Sequence, residues 1–262
     1  MFGRALRDQR GAALGWGAVM FFYAVLIAAA FPTMAKVKAL AEFTQNLPPL
    51  FRAFLGEEVL SYTSFEGFLS LEFFSMTQLL LAFFGALVGS AIIANELDKK
   101  TIEVLLAQPV RRRDVVWQKY LVLVIYMVAI AAAAFVGLIA TAAWVGVRFN
   151  ARPLALAMFG DVVVGIFFSS VFLVVSCVMA DRQKAMILSS GVVLITYIIR
   201  IVSALTEKIS FLASVSPFHY VDASRIIAHD SLAGTPLLQL AALSLAIAVG
   251  AVWYFERRDI AV

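Results

Sequence analysis

Six long apolar runs recur along this sequence, and charged segments separate them. A helix needs about 20 apolar residues to cross the hydrocarbon core of a bilayer, and each run is close to that length or longer. Because lipid offers no partner to backbone N–H and C=O groups, such runs cross a membrane as helices. The chain is 63% hydrophobic and 15% charged, whereas soluble domains are about half apolar and a quarter charged. The sequence therefore predicts an all-α polytopic membrane protein.

The predicted spans form one transmembrane domain, residues 1–262. They are residues 14–34, 73–94, 120–147, 162–180, 185–205 and 236–255. Two more polar segments, residues 35–72 and 206–235, are predicted on the outer face of the membrane. With this topology the inner segments carry 13 of the 21 Lys and Arg residues. Since basic residues favour cytoplasmic loops, we expect both termini on the cytoplasmic side.

A charged stretch, residues 95–119, joins the second span to the third. Within it Ile102, Leu105 and Leu106 recur at i, i+3 and i+4, which places them on one face of a short helix. Pro109 ends this helix, because proline lacks an N–H and disfavours helix in the residue before it. The pattern predicts an amphipathic helix at the cytoplasmic surface, with an apolar face that needs a partner. The alternative is a plain connector between two spans.

The first 13 residues predict a second amphipathic helix, lying on the cytoplasmic surface of the membrane. Its basic side opposes a mildly apolar one and consists of Arg4, Arg7 and Arg10. Basic residues in such helices contact anionic lipid headgroups.

Catalytic and metal-binding motifs are missing from the sequence. No G-x-x-x-x-G-K-[ST] loop occurs, so we expect no ATPase site on this chain. Neither H-E-x-x-H nor G-x-S-x-G occurs, and one cysteine, Cys177, excludes an internal disulfide and a cysteine-rich metal site. We therefore expect no catalytic residue, no metal and no cofactor.

Two charged residues, Asp161 and Arg200, lie in apolar runs. Charge inside a span is costly and often functional. Both are expected near the outer ends of their spans, where a charged side chain reaches the interface. Plain interfacial placement, a mutual ion pair and a substrate contact all fit this position. A proton-coupled carrier normally needs an acid deep in a span, and none is predicted.

The central stretch resembles the pattern of ABC-2 type permeases of ABC exporters. In that family an acidic residue ends the second span, and a Thr-apolar-acid-Leu-Leu run follows it. A Pro-Val pair and an Arg come next, and a Lys opens the third span. The residues that match are Glu96, Thr101, Ile102, Glu103, Leu105, Leu106, Pro109, Val110, Arg111, Arg112, Arg113 and Lys119. Lys100 departs from the pattern, since a small residue is usual before the threonine. Residues 47–49, 216–220 and 257–259 are similar to one prokaryotic branch.

The resemblance implies a six-span half-transporter in the plasma membrane of a prokaryote, with an N-terminal connecting helix. The helix at Leu97–Gln108 would be a coupling helix that docks on a separate cytoplasmic nucleotide-binding subunit, which holds ATP and magnesium. Its coupling residues would be Glu96, the matched residues 101–106, Pro109 and the arginines 111–113. The resemblance also implies a second permease, either an identical copy or a relative. No nucleic-acid partner is expected.

Two other functions share parts of this pattern. A non-transporting anchor or regulatory subunit of an ATPase would carry the same coupling helix. A secondary carrier would work without ATP. The apolar span lining suits lipids, amphiphilic drugs or hydrophobic peptides, and it equally suits plain helix packing, so the cargo stays open.

Overall fold

The computed structural model describes residues 2–35, 64–98, 111–205, 207–232 and 234–258, and regular structure in these ranges is helical. The α-helices are α1 (Phe2–Ala35), α2 (Phe65–Leu69), α3 (Ser75–Gly89), α4 (Ala91–Asp98), α5 (Arg112–Val145), α6 (Ala151–Val178), α7 (Arg182–Leu205), α8 (Ala223–His229) and α9 (Gly234–Arg257). A π-helical turn, Ser70–Phe74, joins α2 to α3. Two 3₁₀ helices, Glu207–Val215 and Pro217–Tyr220, precede α8.

Six helical stretches in the described residues are long and apolar enough to cross a membrane. Five of them are α1, α5, α6, α7 and α9. The sixth is the stretch Phe65–Asp98, which contains α2, α3 and α4. This confirms the predicted fold class. The observed helices extend past the predicted spans, because a helix continues through polar residues until a cap or break ends it.

The N-terminal segment is continuous with the first span in α1, and it does not form a separate surface helix. The Tyr126 hydroxyl donates a 2.7 Å hydrogen bond to the Leu6 carbonyl, which holds the first turns of α1 against α5. Arg7 and Arg10 are both exposed, whereas Arg4 is described by its backbone alone. Further along, α1 approaches α5 closely, since a Cβ at Gly137 would lie 2.9 Å from the Phe21 carbonyl oxygen.

The centre of the bundle is α6, and two-thirds of its most apolar window is buried. It runs parallel to α3, with Leu81 beside Gly165 and Gly85 beside Ser169. A Cβ at Gly85 would lie 2.7 Å from the Ser169 Oγ and 3.0 Å from the Gly165 carbonyl oxygen. Without a hydrophobic force between helices in lipid, small residues stabilise such pairs by permitting close approach.

Candidate coupling site at the base of the bundle

The base of the bundle is the end where α4 ends and α5 begins. Of the residues predicted to couple to an ATPase subunit, the structure describes Glu96, Arg111, Arg112 and Arg113. The others lie in 99–110, outside the described residues; they are Thr101, Ile102, Glu103, Leu105, Leu106 and Pro109. The structure therefore shows the two ends of the predicted coupling segment.

An ion pair joins these two ends. The Lys119 Nζ of α5 lies 2.7 Å from the Glu96 Oε1 of α4, and it also donates to the Ile92 carbonyl at 3.0 Å. The Lys119 and Glu96 side chains are only 13% and 17% exposed. Because the pair is largely shielded from water, the attraction between its two charges is screened less than in a surface pair.

Helix α4 is also fixed to α6. The Ser176 Oγ accepts hydrogen bonds from the backbone N–H groups of Ile93, at 2.7 Å, and Ala94, at 3.0 Å. These are early N–H groups of α4, which have no partner within the helix itself. Ser176 is fully buried and thus caps α4 from a neighbouring helix. Sequence analysis missed this residue, because its partners are 82 and 83 positions away.

Two arginines connect α5 and α6 to the end of α9. Arg112 donates through Nη1 to the Arg258 carbonyl at 2.8 Å, and Arg258 donates through Nη1 to the Cys177 carbonyl. Cys177 lies in the last turn of α6, where carbonyl groups lack helical partners and a cation is favourable. The predicted arginine cluster is therefore divided, since Arg113 makes a 3.6 Å pair with Asp114 at the surface.

The start of α7 is also at the base. Asp181 accepts a 2.9 Å hydrogen bond from the Lys184 N–H through Oδ1, as a helix N-cap does. This backbone hydrogen bond, aided by the nearby Lys184 ammonium, lowers the pKa of Asp181 below its usual value. An open groove of about 690 Å³ lies beside this start and extends along α7. Its lining combines Asp98 and Arg182 with apolar residues such as Leu87, Ile187 and Leu194.

The predicted contact between Asp161 and Arg200 is not a direct ion pair. Arg200 donates through Nη1 to the Gln78 Oε1 at 2.9 Å. Asp161 is 1% exposed, and neither carboxylate oxygen has a hydrogen-bond partner among the described residues. Neighbouring segments bury Asp161, with Val221 packed beside Gly160, and its expected position near the outer end of the span stays a prediction.

The architecture is that of a multi-pass helical membrane protein, and its described residues contain no group of three or more His, Cys, Asp or Glu that could hold a metal ion. Residues 3–260 match the model of the family described as ABC-2 family transporter protein, so the chain belongs to that family. No curated protein matches the chain. The chain is thus a permease subunit of an ABC transporter, the membrane component and not the ATPase. The family implies a nucleotide-binding partner.

Proposed function

We propose that this permease works in an exporter and couples to its nucleotide-binding subunit through the segment of residues 95–119. The observation that carries the proposal is the double attachment of this segment. Glu96 and Lys119 join its two ends, and Ser176 and Arg258 attach those ends to α6. A displacement of the segment would therefore move α4, α5 and α6 together.

The docking face would consist of Ile102, Leu105 and Leu106. Burying an aliphatic side chain contributes about 1.5–3 kcal/mol, so three anchors supply several kcal/mol toward association. The charges of Glu103, two residues after Thr101, and of Arg111 would set the orientation of the docked helix more than its affinity. Pro109 would end the docking helix and separate it from α5.

We infer a second permease from the exposure of α7. Only 17% of its most apolar window is buried, the lowest share among the six spans. Exposed side chains along it include Ile187, Leu194, Ile195 and Ile198. A second copy or a related permease would cover this face, and the groove along α7 would then face the partner. Lipid would cover it in an isolated subunit.

The remaining parts of the proposal follow from charge and family. ATP and magnesium bind to the nucleotide-binding subunit, and this chain holds no cofactor. The excess of basic residues in the predicted inner segments supports a cytoplasmic base with both termini inside. The membrane would be the plasma membrane of a prokaryote.

Co-purification with a candidate ATPase subunit, expressed together with the permease, tests the coupling assignment. Leu105→Asp places a charge on the docking face, and we expect at least tenfold less ATPase subunit in the complex. Ala107→Asp is the matched control, since position 107 lies on the opposite side of the predicted helix, so the same charge there should leave the complex intact. Size-exclusion chromatography checks that both variants fold. Equal recovery with Leu105→Asp and with the control would refute the assignment.

Transport distinguishes an exporter from a non-transporting anchor. The purified complex, reconstituted in vesicles, should hydrolyse ATP and move a fluorescent lipid or a cationic amphiphile between leaflets. ATP hydrolysis by a stable complex, with no cargo moved in either direction, would instead support the anchor.

A further inference from the structure

Asp161 is a buried acid without a partner. It is 1% exposed, ten residues after the start of α6, and both carboxylate oxygens lack hydrogen bonds within the described residues. Burying such a group without a partner is unfavourable, and ionisable residues at membrane depth usually pair with one another or serve a function. An orphan of this kind requires an explanation.

The residues around Asp161 form a polar cluster between α3, α6 and α7. Leu81 and Gly165 face each other across the parallel helices α3 and α6, so Thr77 and Asp161, one turn earlier on each, lie at the same level. Thr77 is also fully buried, and its Oγ1 has no hydrogen-bond partner in the described structure. Arg200 of α7 reaches this cluster through Gln78, the residue after Thr77, to which it donates a 2.9 Å hydrogen bond.

Gln78 connects this cluster to the segment that covers it. The cap segment is residues 216–229, and Phe218 within it packs against Phe168 with ring centroids 5.0 Å apart. The Gln78 Nε2 donates to the Val221 carbonyl of the cap segment at 3.1 Å, while its Oε1 accepts from Arg200 at 2.9 Å. One carboxamide thus holds the cap segment with one atom and Arg200 with the other.

We propose that Arg200 is the moving part of a two-state outer gate, in which its guanidinium exchanges between Gln78 and Asp161. Arg200 binds Gln78 while the cap segment is closed, and it binds Asp161 when the cap segment moves away. This device lies within the membrane bundle and requires neither the ATPase subunit nor a particular cargo.

The chemistry of the two acceptors supports the exchange. Gln78 offers one neutral oxygen, and the hydrogen bond to Val221 fixes its direction. Once ionised, Asp161 offers two oxygens that match the guanidinium fork and carry the opposite charge. The closed state therefore keeps the hydrogen bond from Gln78 to Val221 but lacks the ion pair between Arg200 and Asp161. The open state forms that ion pair and loses the hydrogen bond. Opposing terms of similar size are what a switch between two populated states needs.

A disulfide can report closure of the cap segment. A Cβ built at Gly160 lies 3.8 Å from the Val221 Cβ, which is the usual separation in a disulfide. The only native cysteine, Cys177, can be replaced by serine to remove background. Gly160→Cys with Val221→Cys in this Cys177→Ser background should cross-link in the closed state, and the full chain in lipid nanodiscs is the sample.

Gln78→Leu should lower the cross-linking rate about five- to tenfold, the size of effect expected from losing the neutral hydrogen bond to the Val221 carbonyl. Adding Asp161→Asn should bring the rate back to within about twofold, because the open state then lacks its charge pair. Thr141→Val is the matched control, since Thr141 is a buried threonine of α5 whose hydroxyl donates to the Gly137 carbonyl, away from the exchange, and the rate should stay unchanged.

An equal loss of cross-linking from Gln78→Leu with and without Asp161→Asn would overturn the proposal. Arg200→Gln supplies an independent test, because it removes the moving charge and should also cancel the effect of Gln78→Leu. Size-exclusion chromatography selects the variants that fold, and either Asp161→Asn or Arg200→Gln is sufficient to decide.

Discussion

The ion pair between Glu96 and Lys119 permits a quantitative prediction for the base of the bundle. Lys119→Met keeps most of the side-chain volume and removes the ammonium. It breaks the 2.7 Å contact to the Glu96 carboxylate and the 3.0 Å hydrogen bond to the Ile92 carbonyl. Glu96 then stays in a site where only 17% of its side chain is exposed. We expect the variant to fold with lower stability.

The magnitude follows from the degree of shielding. Removing one partner of a fully buried pair costs about 3–5 kcal/mol, whereas exposed pairs contribute about 0.2–1 kcal/mol. With both side chains largely but not fully buried, Lys119→Met should lower the free energy of unfolding by about 2 kcal/mol. In a double-mutant cycle with Glu96→Gln, the coupling energy should be about 1–2 kcal/mol.

Unfolding by sodium dodecyl sulfate in mixed micelles, followed by circular dichroism, measures these differences. The pair of Arg113 and Asp114 is the control, because its 3.6 Å contact lies at the surface with side chains 45% and 49% exposed. Its coupling energy should stay below about 0.5 kcal/mol. A coupling energy between Glu96 and Lys119 no larger than this control would refute the argument that the pair fixes the two ends of the coupling segment.

Three further changes test the packing and electrostatics described above. Gly85→Ala should lower stability by about 1–3 kcal/mol through overpacking. Gly191→Ala is the control and should leave stability unchanged, because no atom lies within 4 Å of the new Cβ. Thermal unfolding in detergent compares the two variants. Ser176→Ala should cost about 1–3 kcal/mol, because two N–H groups of α4 lose their acceptor, and hydrogen exchange at the start of α4 should rise. NMR titration should give Asp181 a pKa below that of a free aspartate; the stability it contributes is present at neutral pH and is lost as the pH falls through this lowered pKa. Lys184→Ala should move that pKa only part of the way back, because the backbone N–H remains.

The spans could be predicted from the sequence because lipid imposes a simple rule on the backbone. Every polar backbone group needs an internal partner, so length and hydropathy suffice to place six helices. The helix ends are less predictable, since their partners come from elsewhere in the chain. Tyr126 holds the start of α1, and Ser176 caps α4. Neither contact has a local sequence signal, as the partners are far apart in sequence.

The candidate site was predictable only in part. The resemblance to ABC-2 type permeases singles out Glu96 and Lys119, which the structure brings together. The burial of Asp161 was not predictable, because a sequence pattern does not show which later segment covers a helix. Gln78, which holds Arg200 instead, is an ordinary polar residue within an apolar run. The docking face at Ile102, Leu105 and Leu106 remains a prediction, since it lies outside the described residues.

The length of α5 has a mechanical consequence. It contains 34 residues, or about 51 Å of helix, well beyond the roughly 30 Å core of a bilayer. Its close contact with α1 is at Gly137, about 37 Å from Arg112 but only about 12 Å from Val145. If α5 turns about that contact as a rigid rod, a 6 Å shift at the base becomes about 2 Å at the far end. The helix would then act as a lever that exchanges distance for force, so a pull on the coupling segment would act at the Val145 end with about threefold greater force.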